Sequence, residues 1–139
     1  MIAYLDSSVV LRVLLRQRGV LEGWGQWERA YSSELLSVET RRVLDRLRLT
    51  QELGDEEMAQ AQEDLRKIES AIGIIPLRWP VLRQAMLPMA TVVKTLDALH
   101  IASAMLLQER RGLSLKFATH DAQQATGARA LGLDCIGVG

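Results

Sequence analysis

Four acidic residues carry most of the chemistry this chain can offer: Asp6, Glu39, Asp97 and Asp121, each placed where an apolar stretch hands over to the first turn of an expected helix. Asp6 ends the run Met1-Ile2-Ala3-Tyr4-Leu5 and Glu39 follows Leu35-Leu36-Ser37-Val38. Asp97 interrupts Leu96-Asp97-Ala98-Leu99, and Asp121 follows Leu115-Lys116-Phe117-Ala118-Thr119-His120. Carboxylates gathered in one cleft repel one another and raise one another's pKa, so a cluster of four is tolerable chiefly when a divalent cation neutralises it. Such a site would be an oxygen-donor site of the Mg²⁺ or Mn²⁺ type.

Each acid also has a structural use. Asp is a good N-cap, and the helix macrodipole favours acids in first turns. For Asp6 and Asp121, capping and metal ligation both stay open. Glu39 is not the acid of a capping box, because the residue three after Ser37 is Thr40. Asp97 opens a stretch that is apolar almost all round, where a charge is hardest to explain structurally. His100, three residues on, either orients that carboxylate or sits hydrogen-bonded in the core, the simpler role. Ser7 and Thr119 flank acids and could hold a water beside a bound ion, although strand and cap roles explain them equally well. Arg42 and Arg46, three and seven residues after Glu39, are placed to contact phosphates if the helix faces a nucleic acid, and are otherwise solvated.

The elements that must position these residues follow from periodicity. Residues 1–5 predict a buried strand, and Ser7-Ser8 opens a helix through Val9, Val10, Val13, Leu14 and Leu15 that ends near Gly19. A second helical stretch is expected over 20–29, with Trp24 and Trp27 used in core or subunit packing, although Gly23 and Gly25 weaken it. A short strand over 30–33 leads to a helix over 38–49, whose residues Glu39, Val43 and Leu47 share an inward face. Met58, Ala61, Leu65, Ile68 and Ile72 mark an amphipathic helix over 55–72 with its acids outside. A strand near 74–77 and a helix from about Pro80 follow. Thr95 to Arg111 predicts a central buried helix stopped by Gly112, and the chain closes with a strand over 115–119, a helix over 121–131 and a strand over 133–138. Alternating strands and helices imply an α/β domain, a mainly parallel sheet covered on both faces. Ligands of such sheets gather at the carboxyl ends of strands, where Asp6 and Asp121 fall.

Composition narrows the function classes. At 139 residues and 48% hydrophobic content, one domain spanning 1–139 with its own core is expected. Seventeen basic and seventeen acidic side chains cancel, which argues against a broad surface for duplex DNA. The charge is uneven: residues 51–70 carry seven acids and two bases, whereas residues 38–48 carry four arginines and two acids, leaving room for a small basic surface beside Glu39. The lone Cys135 excludes an intramolecular disulfide, predicts a buried strand thiol and fits a reducing cytoplasm. No basic secretory start and no membrane-length apolar run are present, so an unanchored protein is expected. The chain has no G-x-G-x-x-G, P-loop, G-x-S-x-G, H-E-x-x-H or paired C-x-x-C.

Taken in order, Tyr4-Leu5-Asp6-Ser7-Ser8, Leu36-Ser37-Val38-Glu39 with Arg41-Arg42, Thr95-Leu96-Asp97-Ala98-Leu99-His100-Ile101-Ala102, and Phe117-Ala118-Thr119-His120-Asp121 before Gly132-Leu133 resemble the PIN-domain family. Within it, the sequence is similar to the VapC-type ribonuclease toxins of toxin–antitoxin pairs, across essentially the whole chain. The resemblance implies a three-layer α/β/α sandwich and assigns Asp6, Glu39, Asp97 and Asp121 to one or two Mg²⁺ or Mn²⁺ ions, with Thr119 as the hydroxyl residue before the last acid. It implies hydrolysis of RNA phosphodiesters by an activated water, homodimers, and a small antitoxin whose C-terminal segment lies over apolar helical grooves. Two alternatives stand beside it: a PIN-fold binding module that keeps its acids without turnover, and a phosphotransfer enzyme with Asp6 as nucleophile.

Overall fold

In the computed structural model, which describes residues 1–138, strands and helices alternate along the chain. Ile2–Leu5 forms β1, Ser7–Leu14 α1, Arg29–Ser33 β2, Glu34–Leu49 α2, Asp55–Ala71 α3, Gly73–Ile75 β3, Trp79–Ala85 α4, Thr95–Arg111 α5, Leu115–Ala118 β4, Ala122–Ala130 α6 and Asp134–Ile136 β5. The sheet is parallel throughout, in the order β3-β2-β1-β4-β5. Parallel neighbours need long crossovers, and here the crossover helices cover both faces to give an α/β/α sandwich. Ala3 and Leu5 point to one face, packing with Val9, Val10 and Leu14 of α1, Leu36 and Leu44 of α2 and Leu65 of α3. Tyr4 points to the other, with Phe117, Leu115, Ile101 and Leu107. Burial on both faces is why β1 reads as an unbroken apolar run and β4 as one broken only by Lys116.

The chain moves outward from β1 to β2 and β3, then jumps back across β1 to place β4 and β5 on its other side. That reversal opens a crevice at the carboxyl ends of β1 and β4, the usual ligand position in open parallel sheets. Backbone pairing continues just past the strand ends: Asp6 N–H donates to Ala118 O at 2.9 Å, and Thr119 N–H to Ile136 O at 3.0 Å. The residues entering the crevice are thus anchored on a rigid rim.

Five expectations need correction. Residues 20–29 do not form a helix: Gly23 and Gly25 take left-handed backbone angles (φ 77° and 83°), and the segment becomes a series of turns. Trp24 and Trp27 still pack, edge to face at 5.0 Å, against the core. Helix α1 stops at Leu14, well before Gly19, because Arg16 itself turns left-handed (φ 52°). Helix α2 starts at Glu34, a turn earlier than expected, since the Ser33 side chain accepts from Leu35 N–H and caps it. Glu39 therefore lies in its second turn. The buried stripe of α2 is Leu36, Thr40 and Leu44, not Val43 and Leu47; Thr40 can be buried because its hydroxyl donates to Leu36 O at 2.6 Å. Elsewhere the differences are of a few residues, and Gly112 ends α5 in the left-handed conformation (φ 59°) as expected. Cys135 is only half-buried.

Candidate active site

Asp6 leaves β1 in an extended conformation and caps α1, its Oδ2 accepting from Ser8 N–H at 3.0 Å. Its Oδ1 accepts from the Gln124 side-chain amide at 3.1 Å, and Thr119 Oγ1 lies 3.4 Å from Oδ2. At 5% exposure Asp6 is nearly enclosed. Asp121 caps α6, accepting from Gln124 N–H at 3.0 Å. Both capping roles are therefore realised, and neither uses all the acceptor capacity of its carboxylate, since two oxygens offer about four lone-pair sites.

Asp97 is different. It sits in the first turn of α5 but caps nothing, the N-cap being Lys94, and its carboxylate accepts no hydrogen bond among the described residues. Partial burial pushes its pKa up to about 6, and the charges of Asp6, Asp121 and Glu39 push in the same direction against the opposing pull of His100. Asp97 thus feels the charges of all three other acids from its place at the start of α5.

Glu39 enters from the α2 wall. Ser7 Oγ donates to its Oε1 at 2.8 Å, and His100 Nε2 lies 2.6 Å from the same oxygen. A carboxylate only accepts, so His100 Nε2–H donates to Glu39, and the Tyr4 hydroxyl meets Nδ1 on the far side of the ring at 2.8 Å. His100 is completely buried and lies 3.7 Å from Asp6 Oδ1. Its burial lowers the imidazole pKa, but the Glu39 hydrogen bond and the charges of Asp6, Glu39 and Asp97 outweigh that and raise it overall. Of the two uses its spacing left open, the histidine takes the buried, hydrogen-bonded one, engaged with Glu39 and Tyr4. Burial holds the Tyr4 hydroxyl well above its ordinary pKa, so it stays protonated.

Thr119 Oγ1 donates to Gln124 Oε1 at 2.7 Å and accepts from Asp121 N–H at 3.0 Å. Arg42 and Arg46 lie exposed on α2, Arg42 sharing Asp45 with Arg48. Arg41 is a structural tie: it holds Glu69 of α3 with two bonds of 2.8 and 2.7 Å. Sequence reasoning missed Gln124, Ser8 and Tyr4. For Gln124 a signal existed, because it shares the buried face of α6 with Ala125 and Ala128 and is the polar residue in that stripe.

Among the described residues, no group of three or more His, Cys, Asp or Glu side chains is arranged so that it could hold a metal ion. The donors nevertheless suit a hard cation: they are carboxylate and hydroxyl oxygens, Asp97 feels the like charges of Asp6, Asp121 and Glu39, and its carboxylate has no hydrogen-bond partner among the described residues. Mg²⁺ keeps several waters and is usually held by one or two carboxylates together with substrate phosphates, so a preformed protein cage is not required. Asp6, with both oxygens already accepting and no second acid beside it in sequence, is poorly disposed to act as a phosphoryl-accepting nucleophile.

The chain belongs to the PIN-domain family, whose signature matches residues 3–129. Solved structures similar to it in fold include the following three. One is FitAcB from Neisseria gonorrhoeae, with a TM-score of 0.70 and 21% identity, covering 98% of this chain and 96% of that one. Another is a toxin–antitoxin complex from Klebsiella pneumoniae, at 0.64 and 17%, covering 92% and 93%. The third is VapBC2 from Rickettsia felis bound to a DNA fragment from their promoter, at 0.62 and 15%, covering 97% of each chain. Comparison with curated protein sequences gives no match. No helix among the described residues is long and apolar enough to cross a membrane.

Proposed function

We propose that this chain is a metal-dependent endoribonuclease of the VapC toxin type, using Mg²⁺ or Mn²⁺ to hydrolyse phosphodiester bonds of single-stranded or structured RNA, and inhibited by a small cognate antitoxin protein. What carries it is the match of residues 3–129 to the PIN-domain family, joined by an acid, Asp97, that burial and the charges of Asp6, Asp121 and Glu39 hold above the ordinary carboxylate range. Asp6 and Asp121 stand at the strand-order reversal, and Asp97, whose carboxylate has no hydrogen-bond partner among the described residues, feels the charges of Asp6, Asp121 and Glu39; a divalent cation would offset that repulsion.

Asp6, Glu39, Asp97 and Asp121 would hold the ion. When bound, it supplies charge stabilisation to the phosphate oxygens and leaving group and lowers the pKa of water. The protein supplies the rest. Ser8, Thr119 and Gln124 fix the Asp6 and Asp121 side of the crevice, Ser7 and His100 fix Glu39 on the other, and Arg42 and Arg46 meet the RNA backbone. Met86, Leu87, Val92 and Leu96 remain 47–78% exposed around the start of α5, apolar area that supports a protein partner and a second copy of the chain in a homodimer. Action in the cytoplasm follows from this reading.

The test is cleavage of single-stranded RNA by protein freed of its partner, with Mg²⁺ or Mn²⁺ and then with excess chelator. Undiminished cleavage in chelator, by preparations free of contaminating nuclease, would remove the metal mechanism. The absence of a preformed cage among the described residues favours a second reading, a PIN-fold RNA-binding or interaction module without turnover. Binding of RNA with no cleavage at any metal concentration, equal to that of Asp97→Asn, would establish it. Growth inhibition on expression without antitoxin tests the toxin role separately.

A further inference from the structure

We propose that Gln124 is a positioning residue of the acid crevice: its side-chain amide fixes the orientation of Asp6 and ties it to Thr119 and to the first turn of α5. The proposal rests on the metal-dependent nuclease reading and adds to it a residue outside the acid quartet.

Gln124 is fully buried, on a face of α6 where its neighbours Ala125 and Ala128 are apolar. An amide in such a place costs several kcal/mol unless it is hydrogen-bonded, and a side chain of similar size without polar atoms would pack at no such cost. Its partners are therefore informative. The amide nitrogen donates to Asp6 Oδ1 at 3.1 Å and reaches the main-chain oxygen of Asp97 at 3.5 Å, while the amide oxygen accepts from Thr119 Oγ1 at 2.7 Å. Its backbone N–H donates to Asp121. The side-chain contacts reach the ends of β1 and β4 and the start of α5, and the backbone N–H adds Asp121; every residue touched lies in the crevice. The amide cannot be turned round, because its nitrogen must face the carboxylate, which only accepts.

The consequence is geometric. Ser8 N–H holds one Asp6 oxygen and Gln124 holds the other, so the carboxylate plane cannot rotate, and the lone pairs left over have fixed directions. Groups that orient metal-binding side chains by hydrogen bonds are worth roughly 10–100-fold in metal affinity or activity. Gln124 holds Asp6 in this way through a bond spanning 118 residues of sequence.

Gln124→Met conserves volume and flexibility while removing every side-chain hydrogen bond, and Gln124→Glu keeps the shape and the acceptor for Thr119 but removes the donor. Circular dichroism and melting curves establish that each folds; Mn²⁺ affinity is then measured by calorimetry without RNA, and kcat and KM with RNA. Gln124→Met is expected to bind Mn²⁺ about tenfold more weakly and to lose about tenfold in kcat, with KM for RNA within about twofold of wild type. Should that variant not fold, Gln124→Glu carries the test, with kcat expected to fall by a similar factor even where Mn²⁺ binding persists. In the RNA-free wild type, the side-chain amide resonance of Gln124 should move as Mg²⁺ is added. A folded variant that matches wild type within about twofold in both Mn²⁺ affinity and kcat, or an amide resonance indifferent to Mg²⁺, overturns the role of Gln124 and leaves the nuclease reading standing. A wild type that neither binds Mn²⁺ nor cleaves RNA overturns both.

Discussion

Asp6 and Asp97 carry the same functional group in the same crevice, yet they are held in opposite ways. Asp6 is almost enclosed, and its two oxygens accept from Ser8 N–H and the Gln124 amide. Asp97 is half-buried, accepts nothing among the described residues, and is displaced to a pKa of about 6 by burial and by its acidic neighbours. Asp6 is held through both oxygens by hydrogen bonds, and Asp97 has none of that kind among the described residues. One acid therefore belongs to the scaffold as much as to the site, whereas the other is tolerated by the scaffold for what the site does. The two kinds of residue should separate cleanly when stability and activity are measured on the same variants.

The largest effect is on catalysis, where the comparison should vanish. Asp6→Asn and Asp97→Asn are each expected to lower RNA cleavage by roughly a thousandfold or more, about 4 kcal/mol in the barrier, because on the proposed reading either removes a cation ligand. Single-turnover cleavage at saturating Mn²⁺ checks this. Near-normal cleavage by Asp97→Asn would break the comparison at its functional end.

Stability should split the pair. Asp6→Ala removes the α1 cap, worth about 1 kcal/mol, and leaves the buried Gln124 amide without its acceptor, worth about 1–3 kcal/mol. A loss of about 3 kcal/mol in urea denaturation is expected. Asp97→Ala removes no hydrogen bond and relieves repulsion, so it should be neutral or stabilising without metal. Equal losses from both substitutions would show that Asp97 has a structural partner after all.

Metal should bring the two acids back together. A ligand present at a hundredfold excess over its Kd stabilises the folded state by about 2.7 kcal/mol if it binds only that state. Wild type should gain about this much in Mn²⁺, and Asp97→Asn much less, reversing the order found in chelator. Identical metal responses in melting curves would remove Asp97 from the ligand set.

How much of this contrast was legible in the sequence depends on how local each cause is. Asp6, Asp97 and Asp121 stand out because strand ends and helix starts are written in neighbouring residues, and the parallel sheet follows from their alternation. Glu39 was placed in the wrong turn because Leu35 and Leu36 look like the end of a strand, while the Ser33 cap that makes them helical depends on where β2 stops. The sequence placed His100 on Asp97's side of a helix, but could not reveal Glu39, 61 residues earlier, as its partner. For Gln124 the sequence offered its place in the buried stripe of α6, but not Asp6, 118 residues earlier, as its partner. Hydrophobic periodicity reports which side of an element faces inward; it does not report which polar group waits there.

The smallest effect is the most specific, because it concerns the pH dependence of the protein without metal or RNA. The Asp97 pKa of about 6 lies above its ordinary 3.8. Between those values the folded protein binds more protons than the unfolded chain, so stability falls as pH rises through that window. Below it both states are protonated, and above it both are charged and the penalty is constant. The raised His100 imidazole acts in the same direction but in a later window: its stabilisation is complete below its unfolded pKa, about 6.5, and fades as pH rises through the higher folded value. Asp97→Asn should therefore abolish the decline between about pH 4 and pH 6 and shrink the later one, because the Asp97 charge is among those that raise the His100 pKa. In urea midpoints measured in chelator, the variant should match wild type near pH 4 and exceed it by pH 7, with the gap opening as Asp97 ionises. Parallel curves across that range would mean that the Asp97 charge is already satisfied in the folded protein, and the distinction between a scaffold acid and a site acid would lose its physical basis.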